Sequence, residues 1–158
     1  VVVSMGFTKT IGIGPSRKSA LAVTTNRFLP GRRAPELANI LLIDDDPNQV
    51  ATRQMILANA GHQVLVATNA RSAFGLLRAG SGNAEVQLVI TDHFMPGVSG
   101  AELVKTIWEM KPGVRVVVLS GAAEAADDYQ QLEVTFREKP IAPNDLLELV
   151  EKELGRAA

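Results

Sequence analysis

The sequence predicts an α/β fold, a parallel sheet with helices on both faces, and three observations carry that prediction. From Asn39 onward, short apolar runs of strand length alternate with longer segments of helical period. Ile40-Leu41-Leu42-Ile43 and Val116-Val117-Val118-Leu119 are apolar at every position, as in strands covered on both faces. The chain, with 158 residues of which 46% are hydrophobic and 21% charged, can bury one full core but hardly two, so a single globular domain is expected.

Each element has its own signal. Asn39–Asp44 reads as the first strand. Pro47 opens a helix that runs to Ala60, with Val50, Ala51, Ile56, Leu57 and Ala60 as its apolar positions and Gly61 as its stop. His62–Ala67 alternates as a second strand. Thr68 or Asn69 caps a helix carrying Ala70, Ala73, Phe74 and Leu77, which ends in the loop Gly80-Ser81-Gly82-Asn83. Val86–Thr91 is the third strand. Ser99 begins a helix with Leu103, Val104, Ile107 and Trp108 facing inward, closed by Lys111-Pro112-Gly113. Val114–Leu119 is the fourth, central strand. A short helix near Glu124–Gln131 leads to a fifth strand, Val134–Phe136, and Asn144 is expected to cap a last helix carrying Leu146, Leu147, Leu149, Val150 and Leu154. Five strand–helix units in succession call for parallel pairing through right-handed crossovers.

Residues 1–37 differ from the rest. Lys9, Arg17, Lys18, Arg27, Arg32 and Arg33 all precede the first acid, Glu36, and Gly12, Gly14, Pro15, Pro30, Gly31 and Pro35 interrupt any period, so this stretch reads as a basic, disordered tail or a linker, with the folded domain at 38–156. Its composition superficially matches a transit peptide or a nucleic-acid arm, but a linker cut from a longer protein or sequence upstream of Met5 fits better. The net charge of −1 argues neither for nor against nucleic acid. The absence of cysteine excludes disulfides and thiolate metal sites and suits a reducing, cytoplasmic setting. No apolar stretch approaches the roughly eighteen residues of a membrane span.

The strands deliver their chemistry to one rim. The first ends in Asp44-Asp45-Asp46, the third in Asp92, the fourth in Ser120-Gly121, and Lys139-Pro140 follows the fifth. Ligands of open α/β sheets bind at this carboxyl edge. Two carboxylates about 5 Å apart repel by roughly 3 kcal/mol at an effective dielectric near 20, and one lysine cannot neutralise three. A hard divalent cation could, and Mg²⁺ favours one or two carboxylates together with water and a phosphoryl oxygen.

Leu42-Ile43-Asp44-Asp45-Asp46-Pro47, Thr91-Asp92-His93-Phe94-Met95-Pro96-Gly97-Val98-Ser99-Gly100, Leu119-Ser120-Gly121 and Phe136-Arg137-Glu138-Lys139-Pro140 together resemble the receiver domain of two-component response regulators over Asn39 to about Gly155. The resemblance implies a flavodoxin-like (βα)5 sheet of strand order 2-1-3-4-5. It also implies a signalling domain of a phosphorelay, not an enzyme with a separate substrate: Asp92 accepts a phosphoryl group from the phosphohistidine of a histidine kinase or phosphotransfer protein. By the same resemblance Asp45, Asp92 and the backbone carbonyl of Phe94 hold Mg²⁺, with Asp44 acting through water. Lys139 pairs with a phosphoryl oxygen, Ser120 binds another, and Phe136 occupies the aromatic switch position, so that added phosphate charge moves the surface around Ser120 and Phe136. The Lys139-Pro140 bond is expected to be cis. The helix opening at Pro47, with Val50, and the turn carrying Ile141 and Pro143 are the implied docking surface for the kinase.

Phe94 and Ala122 sit where the family tunes dephosphorylation, and neither can orient a water, which implies a persistent phosphoryl state. The short stretch between Ser120 and Lys139 implies an abbreviated or irregular fourth helix. The pattern is similar to receivers at the carboxyl terminus of hybrid histidine kinases, with a free-standing regulator as the alternative, and no output domain for DNA binding is expected after Gly155.

Plainer readings stand beside these. Asp46 reads first as a helix cap, Ser120 alone as a turn hydroxyl, Lys139 alone as a solvated amine, and Phe136 equally as a core aromatic. His62 and His93 read as surface or strand-edge residues, and Trp108 as packing. A haloacid-dehalogenase-type phosphatase would use the Asp44/Asp46 pair, although that reading leaves Asp92 idle.

Overall fold

The computed structural model describes residues 37–79 and 85–155. The basic stretch before Leu37 and the Gly80–Asn83 loop lie outside the described residues. The elements run β1 (Asn39–Ile43), α1 (Pro47–Asn59), β2 (Gln63–Ala67), α2 (Ala70–Ala79), β3 (Leu88–Asp92), the two-residue strands β4 (Phe94–Met95) and β5 (Val98–Ser99), α3 (Gly100–Met110), β6 (Arg115–Ser120), a 3₁₀ segment (Ala123–Tyr129), β7 (Thr135–Glu138) and α4 (Pro143–Gly155).

Five strands form one parallel sheet in the order β2-β1-β3-β6-β7. That is the expected flavodoxin-like order once β4 and β5, which pair only with each other as a small antiparallel ribbon, are set aside. Alternate residues of the same strands build two separate cores. Leu41, Ile43, Val89, Val116 and Val118 pack under Ala73, Leu77, Leu103, Val104 and Ile107 of α2 and α3. Ile40, Leu42, Leu88, Ile90, Val117 and Leu119 pack under Val50, Leu57, Leu146, Leu149, Val150 and Leu154 of α1 and α4. The unbroken aliphatic runs are explained by this two-sided burial.

Local chemistry sets the helix ends. Asp46 caps α1 by accepting from the backbone N–H groups of Asn48 and Gln49, with Pro47 in the first turn. At the other end His62 N–H reaches Leu57 O and Gly61 N–H reaches Ala58 O, a Schellman pair that requires the left-handed backbone of Gly61 at φ +99°. Asn69 caps α2 through Ser72 N–H, and Ser99 and Glu102 form a reciprocal capping box on α3.

Several expectations are corrected. Asn144 does not cap α4; Pro143 already belongs to the helix, and Ala142 O accepts its first backbone bond from Leu146 N–H. His62 is buried, not superficial, because its Nδ1 accepts from Ala38 N–H at 3.2 Å. Ala51 faces solvent, and Arg53 takes the inward position between Val50 and Leu57. The ribbon at Phe94–Ser99 had no expected counterpart, since two-residue strands carry no period. The abbreviated or irregular fourth helix expected near Glu124–Gln131 is present, as the 3₁₀ segment Ala123–Tyr129.

Candidate functional site

Register places the site. Ile43 lies opposite Thr91 across the β1–β3 pair, so Asp44 follows level with Asp92, the last residue of β3, which itself lies opposite Leu119 of β6. Ser120 ends β6 opposite Glu138, and Lys139 N–H donates to Ser120 O at 2.7 Å. Four strand ends therefore bring Asp44, Asp45, Asp92, Ser120 and Lys139 to one edge.

The carboxylates of Asp44, Asp45 and Asp92 each offer an oxygen within 4.8 Å of the others, Asp44 and Asp92 buried and Asp45 exposed. Three oxygen donors without a thiolate or imidazole suit a hard cation such as Mg²⁺, and the exposed acid leaves an entry path. The residues present thus fit that ion. Lys139 Nζ lies 3.0 Å from Asp92 Oδ2 and 3.8 Å from Asp44 Oδ2. The Lys139-Pro140 peptide is cis.

A second cation was not foreseen. Arg53 is buried and forms an ion pair through one terminal nitrogen with Asp44 Oδ2, while its other nitrogen donates to Gln49 Oε1 at 2.6 Å. Gln49 Nε2 in turn donates to Asp46 Oδ2, and Asp46 N–H donates to Asp44 Oδ1. The visible signal was spacing: Arg53 stands three residues after Val50 and four before Leu57, on the apolar stripe of α1. A charge on such a stripe needs a buried partner.

Asp46 uses both oxygens on the first turn of α1, and these bonds, led by that from the Gln49 side chain, hold its carboxyl below the usual range. The second acid that a dehalogenase-type phosphatase needs is therefore committed to a structural cap.

On the other side of Asp92 an aromatic relay runs from its neighbour His93 through Tyr129 to Phe136. His93, expected at a surface or a strand edge, directly follows β3 and is mostly covered, and its Nδ1 lies 2.8 Å from the Tyr129 hydroxyl. Tyr129 is buried and its ring centroid stands 6.0 Å from that of Phe136, which is half-buried. Burial, then the charges of Asp128 and Asp92, push the Tyr129 phenol up to about 12, so it stays protonated across the physiological range. The approach needs Gly100, because a Cβ there would lie 1.9 Å from the phenol oxygen. Trp108 serves packing, as expected, with Nε1 donating to Val114 O.

Ser120 is fully buried; its hydroxyl donates to Ala122 O and accepts from Ala122 N–H. Phe94 is 62% exposed beside the acids. Val50, by contrast, is a core residue at 7% exposure and cannot form the docking surface expected of it. The accessible groove on that side, about 540 Å³, is lined by Thr52, Arg53, Ile56, Lys139, Ile141 and Pro143 among others, and Pro47 is exposed on the same helix.

The sequence profile of the response regulator receiver domain matches residues 40–151. The transcriptional regulatory protein GlrR of Escherichia coli K12 is 27% identical over 124 residues, which are 77% of this chain and 27% of GlrR. The chain thus spans about a quarter of the length of that relative. A receiver domain from Clostridium thermocellum superposes with a TM-score of 0.69 at 26% identity, over 77% of this chain and 97% of that one. The receiver domain of the hybrid histidine kinase CckA gives 0.63 at 28% identity, over 74% and 99%. Nothing in these comparisons supports a phosphatase of the dehalogenase type.

Proposed function

Because the chain belongs to the response regulator receiver family, we propose that it accepts a phosphoryl group on Asp92 from the phosphohistidine of a histidine kinase or phosphotransfer protein. The observation that carries the reading is the setting of Asp92: a buried carboxylate at a strand end, grouped with two further acids and held by Lys139 Nζ at 3.0 Å. An oxygen of Asp92 attacks phosphorus as the phosphorus–nitrogen bond of the donor breaks, and the imidazole leaves with that electron pair.

Asp45, Asp92 and the Phe94 carbonyl would hold Mg²⁺, with Asp44 acting through water; when bound, the ion screens the nucleophile and the incoming phosphoryl group from each other. Lys139 would exchange its contact with Asp92 for a phosphoryl oxygen. Ser120 would release Ala122 to donate to another, and the resulting shift would reach Phe136 through the space the hydroxyl vacates. Pro47, Ile141 and Pro143 flank the acid and would meet the donor. The exposed Phe94 and the apolar Ala122 offer no group to align a hydrolytic water, which favours a long-lived phosphoryl state.

The basic stretch 1–37 we assign to a linker or tail, of a hybrid kinase in preference to a free regulator. Among the described residues no helix is long and apolar enough to cross a membrane. The proposed chemistry, which draws on kinases charged by ATP, carries a cytoplasmic location with it, and no direct contact with nucleic acid is proposed. The test is intact mass after incubation with acetyl phosphate and Mg²⁺. The wild type should gain one phosphoryl group and Asp92→Asn none; a gain that survives in the variant refutes the acceptor assignment.

A further inference from the structure

We propose that Arg53 is the resident counter-ion of Asp44 and that it holds down the affinity of the acidic site for divalent cations. The inference rests on the metal-binding reading above and concerns a residue which that reading does not use. Arg53 is buried at 8% exposure on the inward stripe of α1, where an aliphatic side chain would complete the Val50–Leu57 row. Its guanidinium reaches past that row to Asp44 Oδ2, the oxygen that also faces Lys139 Nζ at 3.8 Å. The other oxygen of Asp44 accepts from Asp46 N–H at 2.9 Å.

Asp44, at 0% exposure, therefore has both oxygens engaged by the protein. Without Arg53 the pocket sets three carboxylates against one lysine; with it, against two cations. The position is held from behind, because Gln49 Oε1 accepts from the second guanidinium nitrogen and Gln49 Nε2 donates to Asp46, closing a circuit of hydrogen bonds from Asp44 through Arg53, Gln49 and Asp46 back to Asp44. A guanidinium cannot lose its proton under ordinary conditions, so it offers a permanent charge where a lysine would not be obliged to. A divalent ion entering among these acids meets that charge. With a separation of about 6 Å and screening as strong as bulk water, the repulsion of a divalent ion by one positive charge amounts to roughly a tenfold loss of affinity, and weaker screening enlarges it.

The experiment measures urea stability of the wild type, Arg53→Met and Arg53→Lys over a range of Mg²⁺ concentrations, and extracts Kd from the rise of stability with free ion. Arg53→Met should bind Mg²⁺ at least tenfold more tightly than wild type and should be less stable in metal-free buffer, with the deficit closing as Mg²⁺ supplies the missing charge. Arg53→Lys, which keeps the charge, should stay within about threefold of wild type, well short of the tenfold change that one charge brings. An unchanged Mg²⁺ affinity in Arg53→Met, seen as a stability deficit that is the same at all concentrations, or a weaker one, seen as a deficit that widens with Mg²⁺, overturns the inference and leaves Arg53 a purely structural ion pair. If Arg53→Met does not fold without metal, Mg²⁺ must restore folding; failure to do so also overturns it. A wild type that does not respond to Mg²⁺ while Asp45→Asn behaves identically overturns the metal site itself, and the inference with it.

Discussion

Replacing Gly100 with alanine tests the aromatic relay beside Asp92. An added Cβ would lie 1.9 Å from the Tyr129 hydroxyl and 3.1 Å from His93 Nδ1, and those two atoms are 2.8 Å apart. If the phenol retreats directly to an ordinary contact of about 3.4 Å, the same triangle stretches its bond to His93 to about 3.4 Å, beyond the useful range of an O–H or N–H hydrogen bond. Losing that bond inside the protein costs about 1–3 kcal/mol. Pushing a buried ring off its seat costs about as much again. Relief of glycine's backbone entropy in a helix returns about 0.5–1 kcal/mol. A net destabilisation of about 3 kcal/mol is expected, the midpoint of those terms. Urea unfolding monitored by circular dichroism measures it. Tyr129→Phe removes the offending oxygen, so the alanine should cost markedly less in that background, and the double-mutant cycle should show strong coupling. A Gly100→Ala protein of wild-type stability, or one whose cost is unchanged in the Tyr129→Phe background, would refute the packing argument.

Other consequences can be measured on the same protein. His62 is held below its ordinary value of 6.5, first by burial, with Glu151 opposing, and so the folded protein refuses a proton that the unfolded chain accepts. Stability should be complete above about pH 6.5 and decline as pH falls through that value; the slope should flatten in His62→Gln, whose amide oxygen can still accept from Ala38. Leu103→Ala, at a fully buried position under the sheet, should cost about 2–5 kcal/mol in urea unfolding with native circular dichroism retained. Ser99→Ala removes the oxygen that caps Glu102 N–H and should cost about 1 kcal/mol, mostly in α3, readable by amide exchange in its first turn. The Tyr129 phenol should not ionise below about pH 12 while the fold persists, so phenolate absorbance that appears near pH 10 with native circular dichroism would contradict its burial.

The acid set is legible because Asp44, Asp45 and Asp92 stand within two residues of an unbroken apolar run that marks a buried strand. Ile40–Ile43 announces Asp44 and Asp45, and Leu88–Ile90 announces Asp92, with no knowledge of the partner strands. Arg53 was passed over for the opposite reason. Its neighbours Thr52 and Gln54 are exposed polar residues, and only the positions three before and four after it reveal that it points inward. Tyr129 lies in an irregular segment after Ala125-Ala126-Asp127-Asp128, where no period exists to assign a face. The sequence around His62 and His93, with no second histidine at ligand spacing, allows no more than a surface or strand-edge reading; the acceptor need of Ala38 N–H and the approach of Tyr129 come from segments 24 and 36 residues away.

By itself the sequence determined the alternation of elements, the caps of the first three helices but not that of the last, and therefore the edge at which acids, hydroxyl and amine gather, since such features depend on neighbours within a few residues. Only the tertiary structure decided which cations answer those acids, which face Val50 and Arg53 present, and how Gly100 admits Tyr129 to His93. Contacts of that kind join segments remote along the chain, and their outcome turns on ångström-scale space and on burial of charge, quantities that a pattern of residue types does not contain.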